Sequence, residues 1–227
     1  MNKQVSVPFD LVMFDLDGTL IETAPEICDA VNDTLRHFGL AEVSQAQVDR
    51  WIGHGTRELL VQALADVRRL TVAQLRVCED LPLIAAEFDR HYQRRCGTRS
   101  QLYPHVREVL ETLRASQVRL AVVTNKEGRY TRTVLDAHAL SPLFDRVVSG
   151  DTLATKKPDP AGIQSCLAQF DIAPGRALFV GDSSIDVATA RNARVTVWAL
   201  PYGYNMGQRI EDSGADRVIP DVRQLLN

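Results

Sequence analysis

Asp15 and Asp17 stand at the end of an apolar run over residues 9–14 that predicts a buried strand. They are part of the stretch VMFDLDGTLIET. Two carboxylates this close repel each other unless a cation joins them or one of them holds a proton. The pair therefore predicts a site that binds a cation or a tightly held proton.

Other polar residues follow later apolar segments of the chain, and their chemical types are complementary. In chain order they are a hydroxyl, an amide, an ammonium group and two further carboxylates: Thr124, Asn125, Lys157, Asp182 and Asp186. Ligands of open parallel sheets bind beyond the carboxyl ends of the strands. We therefore expect these residues to meet Asp15 and Asp17 in one crevice.

Such a set of groups is suited to a phosphoryl ligand. A carboxylate-rich oxygen site suits Mg²⁺, which accepts a substrate phosphate oxygen as a further ligand. Thr124, Lys157 and the backbone N–H groups after Asp17 can donate to an anion. Asp15 can be the in-line nucleophile that forms an aspartyl-phosphate. Asp17 can protonate the leaving oxygen and then deprotonate a water molecule.

Each of these motifs also has a purely structural interpretation. DLDGT fits a tight turn, and KKPDP fits an ordinary loop. Thr124 with Asn125, and the GDSSID segment, fit the capped starts of helices. The conjunction favours chemistry, because the four motifs each follow a different predicted strand of one sheet.

The elements that must position these residues alternate along most of the chain. Helical patterns cover residues 104–116, 127–139, 160–170 and 184–193, and the strand-like segments are VRLAVVTN, RVVSG, RALFVGD, VTVWAL and DRVIP. This alternation predicts an α/β fold with a Rossmann-like parallel sheet and helices on both faces. The predicted core domain comprises residues 1–21 and 101–227.

Residues 22–100 have helical patterns throughout and predict an inserted helical cap domain of four helices after strand one. TAPE at 23–26, SQAQ at 44–47 and TVAQ at 71–74 each predict a capping box at a helix start. Gly39 is expected to end the first helix. The fourth helix is expected to run to about Arg95, although Pro82 interrupts its pattern.

The overall composition limits the classes of partner. The chain is 45% hydrophobic and 24% charged, with a net charge of -3, so we expect no nucleic-acid partner. The four cysteines have no metal-binding spacing, which predicts reduced thiols in a cytoplasmic protein. No apolar stretch approaches the ~20 residues of a membrane helix, and the N-terminal residues lack a signal-like apolar region. The oligomeric state stays open.

The four motifs DLDGT, VVTN, KKPDP and GDSSID resemble, in this order, those of the haloacid dehalogenase-like hydrolases, and the match spans the chain. The resemblance implies a phosphatase with Asp15 as nucleophile and Asp17 as general acid and base. True dehalogenases of this superfamily lack the second acid. The implied phosphoryl ligands are Thr124, Asn125 and Lys157, with Lys157 preferred over Lys156 because it directly precedes the proline. The implied Mg²⁺ ligands are Asp15, the Asp17 carbonyl and Asp182, with Asp186 in support.

Further segments are similar to the phosphoglycolate phosphatase family: WIGHGTRELL at 51–60, YPHV at 103–106 and YGYN at 202–205. The resemblance implies a Mg²⁺-dependent hydrolase of 2-phosphoglycolate, whose partner is this small phosphorylated metabolite. Gly53 and His54 would form a flexible specificity loop, and the planar guanidinium of Arg57 would match a substrate carboxylate. The alternative is a solvated Arg57 beside a simple turn.

Other functions stay open beside this one. The substrate could be another small phosphate, such as a sugar phosphate, N-acetylmuramate 6-phosphate or pyrophosphate. A phosphotransferase similar to β-phosphoglucomutase would use the same residues. A dinucleotide-binding dehydrogenase is disfavoured, because the first strand leads to DLDGT rather than to a GxGxxG turn.

Overall fold

The computed structural model describes residues 7–226. Residues 1–6 and residue 227 lie outside the described residues, so the predictions made for the N-terminal residues and for the two ends of the core domain stay predictions at these positions. The strands are β1 (Leu11–Phe14), β2 (Ile21–Glu22), β3 (Gln101–Leu102), β4 (Arg119–Val123), β5 (Arg146–Val148), β6 (Ala177–Gly181), β7 (Thr196–Ala199) and β8 (Arg217–Val218). The helices are α1 (Ala24–His37), α2 (Gln45–Asp49), α3 (Thr56–Arg68), α4 (Val72–Arg76), α5 (Leu81–Arg95), α6 (Val106–Ala115), α7 (Gly128–Ala137), α8 (Ala161–Phe170) and α9 (Ser184–Ala193).

Within residues 7–226, six strands form a parallel sheet in the order β5-β4-β1-β6-β7-β8. Successive residues of β1 point into two separate apolar layers: Val12 packs with α6 and α7, whereas Met13 packs with α8 and α9. A strand buried on both faces must be apolar throughout, which is why the strand segments read as continuous apolar runs. The predicted fold class, a parallel sheet with helices on both faces and a helical cap after β1, is confirmed.

Helices α1–α5 form the cap, and their number differs from the prediction. The predicted fourth helix is two helices, α4 and α5, separated by residues 77–80. Pro82 lies in the first turn of α5, where its missing N–H removes no hydrogen bond. The expectation of four helices was therefore wrong because the proline begins a helix instead of interrupting one.

Two of the three predicted capping boxes are confirmed. Gln47 accepts a hydrogen bond from the backbone N–H of Ser44 at 2.9 Å, and Gln74 accepts one from Thr71 at 2.9 Å. Gly39 follows the last turn of α1 with a φ of 66°, as expected for the residue that ends a helix. These signals involve residues a few positions apart, so the local sequence is sufficient to predict them.

The predicted capping box at residues 23–26 is wrong, because both of its side chains bond elsewhere. Thr23 precedes α1, but its hydroxyl donates to Asp17 instead of capping the helix. Glu26 is fully buried, and its Oε2 accepts hydrogen bonds from the backbone N–H groups of the segment that returns from the cap: Gly97 at 2.9 Å, Arg99 at 3.2 Å and Ser100 at 3.0 Å. Tertiary partners have replaced the local ones.

The chain crosses between core and cap along two paired segments. β2 leaves the core and β3 returns to it, and the two are antiparallel neighbours. The Glu26 carboxylate joins the same two crossings one turn further into the cap. No helix among the described residues is both long and apolar enough to cross a bilayer. The four cysteines, which lie within these residues, have free thiols.

We predict that Glu26→Gln lowers the free energy of unfolding by about 1–3 kcal/mol. The amide replaces a charged acceptor that serves backbone donors in a buried place, and hydrogen bonds to charged groups have this magnitude. Urea unfolding would measure the change. The control is Glu79→Gln at an exposed site, which should change stability by less than about 0.5 kcal/mol. Equal changes in the two variants would contradict the role of Glu26.

Candidate active site

A cavity lies between the cap and the carboxyl ends of the sheet strands. Its core wall follows β1, β4 and β6, and its cap wall comes from α1, α3 and the loop before α3. The lining residues are Asp15, Asp17, Thr124, Asn125, Lys126, Asp182, Ser183 and Tyr204 from the core, and Ile27, Ile52, Gly53, Gly55, Thr56 and Leu59 from the cap. Sheet topology thus brings together residues far apart in sequence.

Asp15, Asp182 and Asp186 form a buried cluster at the sheet edge of this cavity. One carboxylate oxygen of each lies within 4.8 Å of the others. Burial is the main cause that raises the pKa of Asp15 to about 6, with the negative charge of Asp186 adding to it and Lys157 opposing it. Burial, together with the negative charges of Asp186 and Asp15, raises the pKa of Asp182 well above its ordinary value. The cluster is therefore costly to ionise without a cation.

Lys157 lies within this cluster. Its Nζ is 2.7 Å from Asp15 Oδ1 and 2.7 Å from Asp186 Oδ1. Burial lowers the pKa of Lys157, but the two carboxylates outweigh burial and raise the pKa overall, so the side chain stays cationic. The neighbouring Lys156 instead donates to the carbonyl of His54 in the cap at 3.1 Å. The structure thus places Lys157, not Lys156, against Asp15.

Asp182 is held by groups from distant parts of the chain. Thr19 Oγ1 donates to its Oδ1 at 2.6 Å, and the backbone N–H of Tyr204 donates to its Oδ2 at 2.6 Å. Gly18, with a φ of +86°, and Gly203 pack directly against this carboxylate, and a Cβ at either position would collide with Oδ2. The YGYN segment therefore contacts the site as well as the last strands.

Asp186 is fixed by the start of α9. Its Oδ2 accepts hydrogen bonds from the backbone N–H of Ser183 at 3.0 Å and from the Ser183 hydroxyl at 2.7 Å. This is the capping box that a GDSSID sequence allows. Its other oxygen contacts Lys157, so Asp186 joins the lysine to the helix end.

The cluster meets the requirements of a hard divalent cation. Asp15 is buried, and Lys157 Nζ is 2.7 Å from its Oδ1. The site holds four carboxylates, including Asp17, against the two ammonium groups of Lys126 and Lys157. When all six groups are ionised, four negative and two positive charges leave a net charge of −2. An all-oxygen donor set of this charge suits Mg²⁺.

Asp17 faces the cap rather than the carboxylate cluster. Its Oδ1 accepts hydrogen bonds from Thr23 Oγ1 at 2.7 Å and from Lys126 Nζ at 2.9 Å. The Lys126 side chain is fully buried, and its Nζ also contacts the Tyr92 hydroxyl of α5. Burial lowers the pKa of Lys126, but the Asp17 carboxylate outweighs burial, so the pKa is raised and the group stays charged.

Lys126 was missed by sequence reasoning. It directly follows the VVTN motif, but lysine is common in loops, and nothing in the spacing distinguishes it from a solvated side chain. Its burial depends on Tyr92, which is more than thirty positions earlier in the chain and belongs to the cap. Only the packing of cap on core reveals this lysine.

Thr124 and Asn125 lie in the cavity as the sequence predicts, but they make different contacts. The Thr124 hydroxyl accepts the backbone N–H of Lys126 at 3.3 Å, and its own proton can serve a ligand. The Asn125 amide donates to the carbonyl of Gly53 at 2.9 Å and to that of Lys157 at 3.0 Å. Its side chain therefore joins the cap loop to the lysine loop.

The structure brings only one of the three predicted cap residues to the cavity. Gly53 lines it, whereas His54 and Arg57 are exposed, and neither lines the cavity within residues 7–226. Thr56 lines it instead, and its hydroxyl donates to Glu127 of the core at 2.5 Å. Thr56 and Arg57 are consecutive residues at the start of α3, so their side chains point in different directions: Thr56 faces the core and Arg57 faces solvent.

Comparison with known proteins adds independent information. Residues 12–200 match the family described as haloacid dehalogenase-like hydrolase. A Haemophilus influenzae protein named phosphoglycolate phosphatase is 38% identical over 226 residues, covering 100% of this chain and 99% of that protein. A Nitrosospira multiformis protein of the same name is 38% identical over 217 residues, covering 95% and 93%.

A solved structure is similar over nearly the same length. It comes from Haemophilus somnus and is described as a predicted phosphoglycolate phosphatase. Its TM-score is 0.91 at 34% sequence identity, and the match covers 96% of this chain and 97% of that one. The agreement extends over cap and core together.

We predict that the protein without divalent cations loses stability as the pH rises from about 4 through 6. The folded state binds a proton at Asp15 with a pKa of about 6, against an ordinary value of 3.8, so it holds more protons than the unfolded chain in this window. Asp15→Asn removes this contribution. Urea unfolding in chelator should therefore show the variant gaining on the wild type between pH 4.5 and 7.5, by at most about 3 kcal/mol. A difference between the two proteins that does not vary with pH would contradict the prediction.

Proposed function

This chain belongs to the haloacid dehalogenase-like hydrolases, and from that membership and the geometry of its site we propose that it hydrolyses 2-phosphoglycolate to glycolate and inorganic phosphate. One observation carries the proposal: the buried Asp15 carboxylate lines the cavity, with Lys157 Nζ 2.7 Å from its Oδ1 and one of its oxygens within 4.8 Å of an Asp182 oxygen. A carboxylate close to a cation and to a second acid that could hold a metal ion is suited to attack a phosphoryl group. The choice of substrate is supported by the full-length relatives, which are named phosphoglycolate phosphatase.

We infer that the cation is Mg²⁺. Asp15, Asp182 and the backbone carbonyl of Asp17 would hold it, and Asp186 would support the site through Lys157. When bound, Mg²⁺ would neutralise these carboxylates and polarise a phosphoryl oxygen of the substrate. The net negative charge of the site and its all-oxygen donor set support this assignment.

In the proposed first step, an oxygen of the Asp15 carboxylate attacks phosphorus in line with the ester bond. The bond between phosphorus and the glycolate oxygen breaks, and Asp17 gives its proton to that oxygen. Lys157 and the Thr124 hydroxyl bind the phosphoryl oxygens, where negative charge is spread in the transition state. Asp15 then carries the phosphoryl group as an acyl phosphate.

In the proposed second step, water attacks the phosphorus and gives its proton to Asp17. The bond between phosphorus and the Asp15 oxygen breaks, which releases inorganic phosphate and restores the carboxylate. Asp17 thereby regains the proton that it lost in the first step. A single acid therefore serves both steps, with its proton returned in each cycle.

The cap contributes by covering this chemistry. Three contacts join its loop to the core: Gly53 with Asn125, His54 with Lys156, and Thr56 with Glu127. Apolar side chains of Ile27, Ile52 and Leu59 complete the cover. Opening and closing at the paired crossings β2 and β3 would admit substrate and then exclude water that does not react.

The main alternative within this chemistry is another small phosphate ester, or transfer of the phosphoryl group to a second sugar phosphate. Both would use Asp15 and Asp17 in the same roles. Free phosphate released at the same rate as substrate is lost would exclude transfer. A panel of small phosphate esters would decide the substrate by comparing kcat/KM values.

We predict that Asp15→Asn lowers kcat for phosphate release by about 10⁴-fold or more, because an amide cannot serve as the nucleophile. Phosphate release from 2-phosphoglycolate, sugar phosphates and pyrophosphate would be measured for both proteins. In the wild type, 2-phosphoglycolate should have a kcat/KM at least about tenfold above the others. Substantial activity in the variant would exclude the covalent route, and a flat substrate panel would exclude the substrate assignment.

We also predict that Mg²⁺ stabilises the protein by about 2.7 kcal/mol at a concentration of about 100 times its Kd, because it binds the folded state alone. Thermal unfolding with and without Mg²⁺ would measure this stabilisation. Asp182→Asn should remove most of it, whereas Asp212→Asn, at an exposed position, should retain it. Equal stabilisation in both variants would argue against the proposed ligand set.

A further inference from the structure

Lys126 is the one cationic side chain among the described residues that line the cavity. Lys157 lies deeper, between Asp15 and Asp186. The cap wall is neutral, made of apolar residues, two glycines and one threonine hydroxyl. Among the described residues that line the cavity, Lys126 is therefore the cationic partner available to a negative group of the substrate other than the phosphate.

The position of Lys126 is fixed from two sides. Its Nζ is 2.9 Å and 3.2 Å from the two oxygens of Asp17. On the cap side it contacts the Tyr92 hydroxyl and lies 5.0 Å from the centre of that ring. A buried ammonium group requires such partners, and a substrate carboxylate would be a partner of the same chemical kind as the Asp17 carboxylate.

The short distance between the ester oxygen and the carboxylate of 2-phosphoglycolate matches the location of Lys126 beside Asp17. In the proposed function, Asp17 contacts the leaving oxygen of the ester, and Lys126 is within hydrogen-bond distance of Asp17. In 2-phosphoglycolate a single methylene carbon separates that oxygen from the carboxylate. A substrate bound for reaction therefore brings its carboxylate to the immediate neighbourhood of Lys126.

We propose that Lys126 binds the carboxylate of the substrate and so determines the preference for a phosphorylated small acid, a proposal that rests on the proposed function. The guanidinium of Arg57, expected from sequence to fill this role, is exposed and outside the cavity. Lys126 instead comes from the core, in the segment that directly follows Thr124, whose hydroxyl would bind the phosphoryl group in the proposed function. One segment would then contact both ends of the substrate.

The same contact links recognition to positioning of the acid. In this structure Lys126 and Thr23 together hold the Asp17 carboxylate. A substrate carboxylate takes over the Lys126 hydrogen bonds and leaves Asp17 free to turn towards the leaving oxygen. An ester that lacks the carboxylate leaves Asp17 bound to Lys126. The contact between Lys126 and the substrate carboxylate thus increases the rate of the reaction as well as the affinity for the substrate.

The experiment compares 2-phosphoglycolate with ethyl phosphate, which has a methyl group where the acid has its carboxylate. Lys126→Met keeps the side-chain length and removes the charge. It should lower kcat/KM for 2-phosphoglycolate about 10–100-fold, the usual effect of losing a hydrogen bond to a charged group. The ratio of this value to the kcat/KM for ethyl phosphate should fall at least about tenfold, because only 2-phosphoglycolate has a carboxylate for Lys126 to bind. Equal losses for both esters would overturn the proposal.

Inhibition by inorganic phosphate tests whether the variants have kept an intact phosphoryl-binding site. Inorganic phosphate engages only the phosphoryl end, so its inhibition constant should be unchanged in Lys126→Met and in Lys126→Gln. Lys126→Gln should show the same selective loss, because its amide has no charge. Loss of phosphate inhibition in both variants would overturn the proposal, since Lys126 would then act on the whole site.

Two further measurements separate the competing explanations. Arg132→Met removes an exposed charge from α7 and should leave both kcat/KM values within about twofold. A loss confined to 2-phosphoglycolate in Arg57→Ala, with none in Lys126→Met, would overturn the proposal in favour of Arg57. A wild-type protein with no preference between the two esters would instead refute the proposed function itself.

Discussion

The repulsion among carboxylates in one buried crevice is the constraint on which the rest of the structure depends. Asp15, Asp182 and Asp186 converge within 4.8 Å, and Asp17 stands two residues from the first of them. Three elements that meet the sheet edge contribute compensation: the KKPDP loop provides an ammonium group, the turn after β1 provides a hydroxyl, and α9 provides its N-terminal end. The remaining charge creates the affinity for a divalent cation.

The fold follows from the sequence where the signal is local or is repeated along the chain. Strands covered on both faces must be apolar throughout, and helices must separate parallel neighbours, so the alternation of segments was sufficient to predict the sheet. The capping boxes at 44–47 and 71–74 depend on residues three positions apart and were predicted for that reason. At 23–26 the same pattern was misleading, because Glu26 and Thr23 have stronger partners from elsewhere in the fold.

The site is predictable to the extent that its motifs follow strands. Asp15 and Asp182 are where the strand ends must place them, since β1 and β6 are adjacent in the sheet. The cap residues could not be placed in this way. Whether Thr56 or Arg57 faces the core depends on the rotation of α3, and the burial of Lys126 depends on how α5 meets the core. The rotation of α3 and the contact of α5 both depend on how the cap packs against the core. No local sequence pattern connects the residues that meet across this contact.

Tyr204 has two hydrogen bonds with a joint consequence. Its backbone N–H donates to Asp182, and its hydroxyl accepts the N–H of Ala24 at the first turn of α1. One loop residue thus spans from the acidic pocket to the place where the cap begins. Linkage requires such a coupling to act equally in both directions. A change in the charge of Asp182 and a change in the position of the first cap helix would therefore both act on the hydrogen bonds of Tyr204.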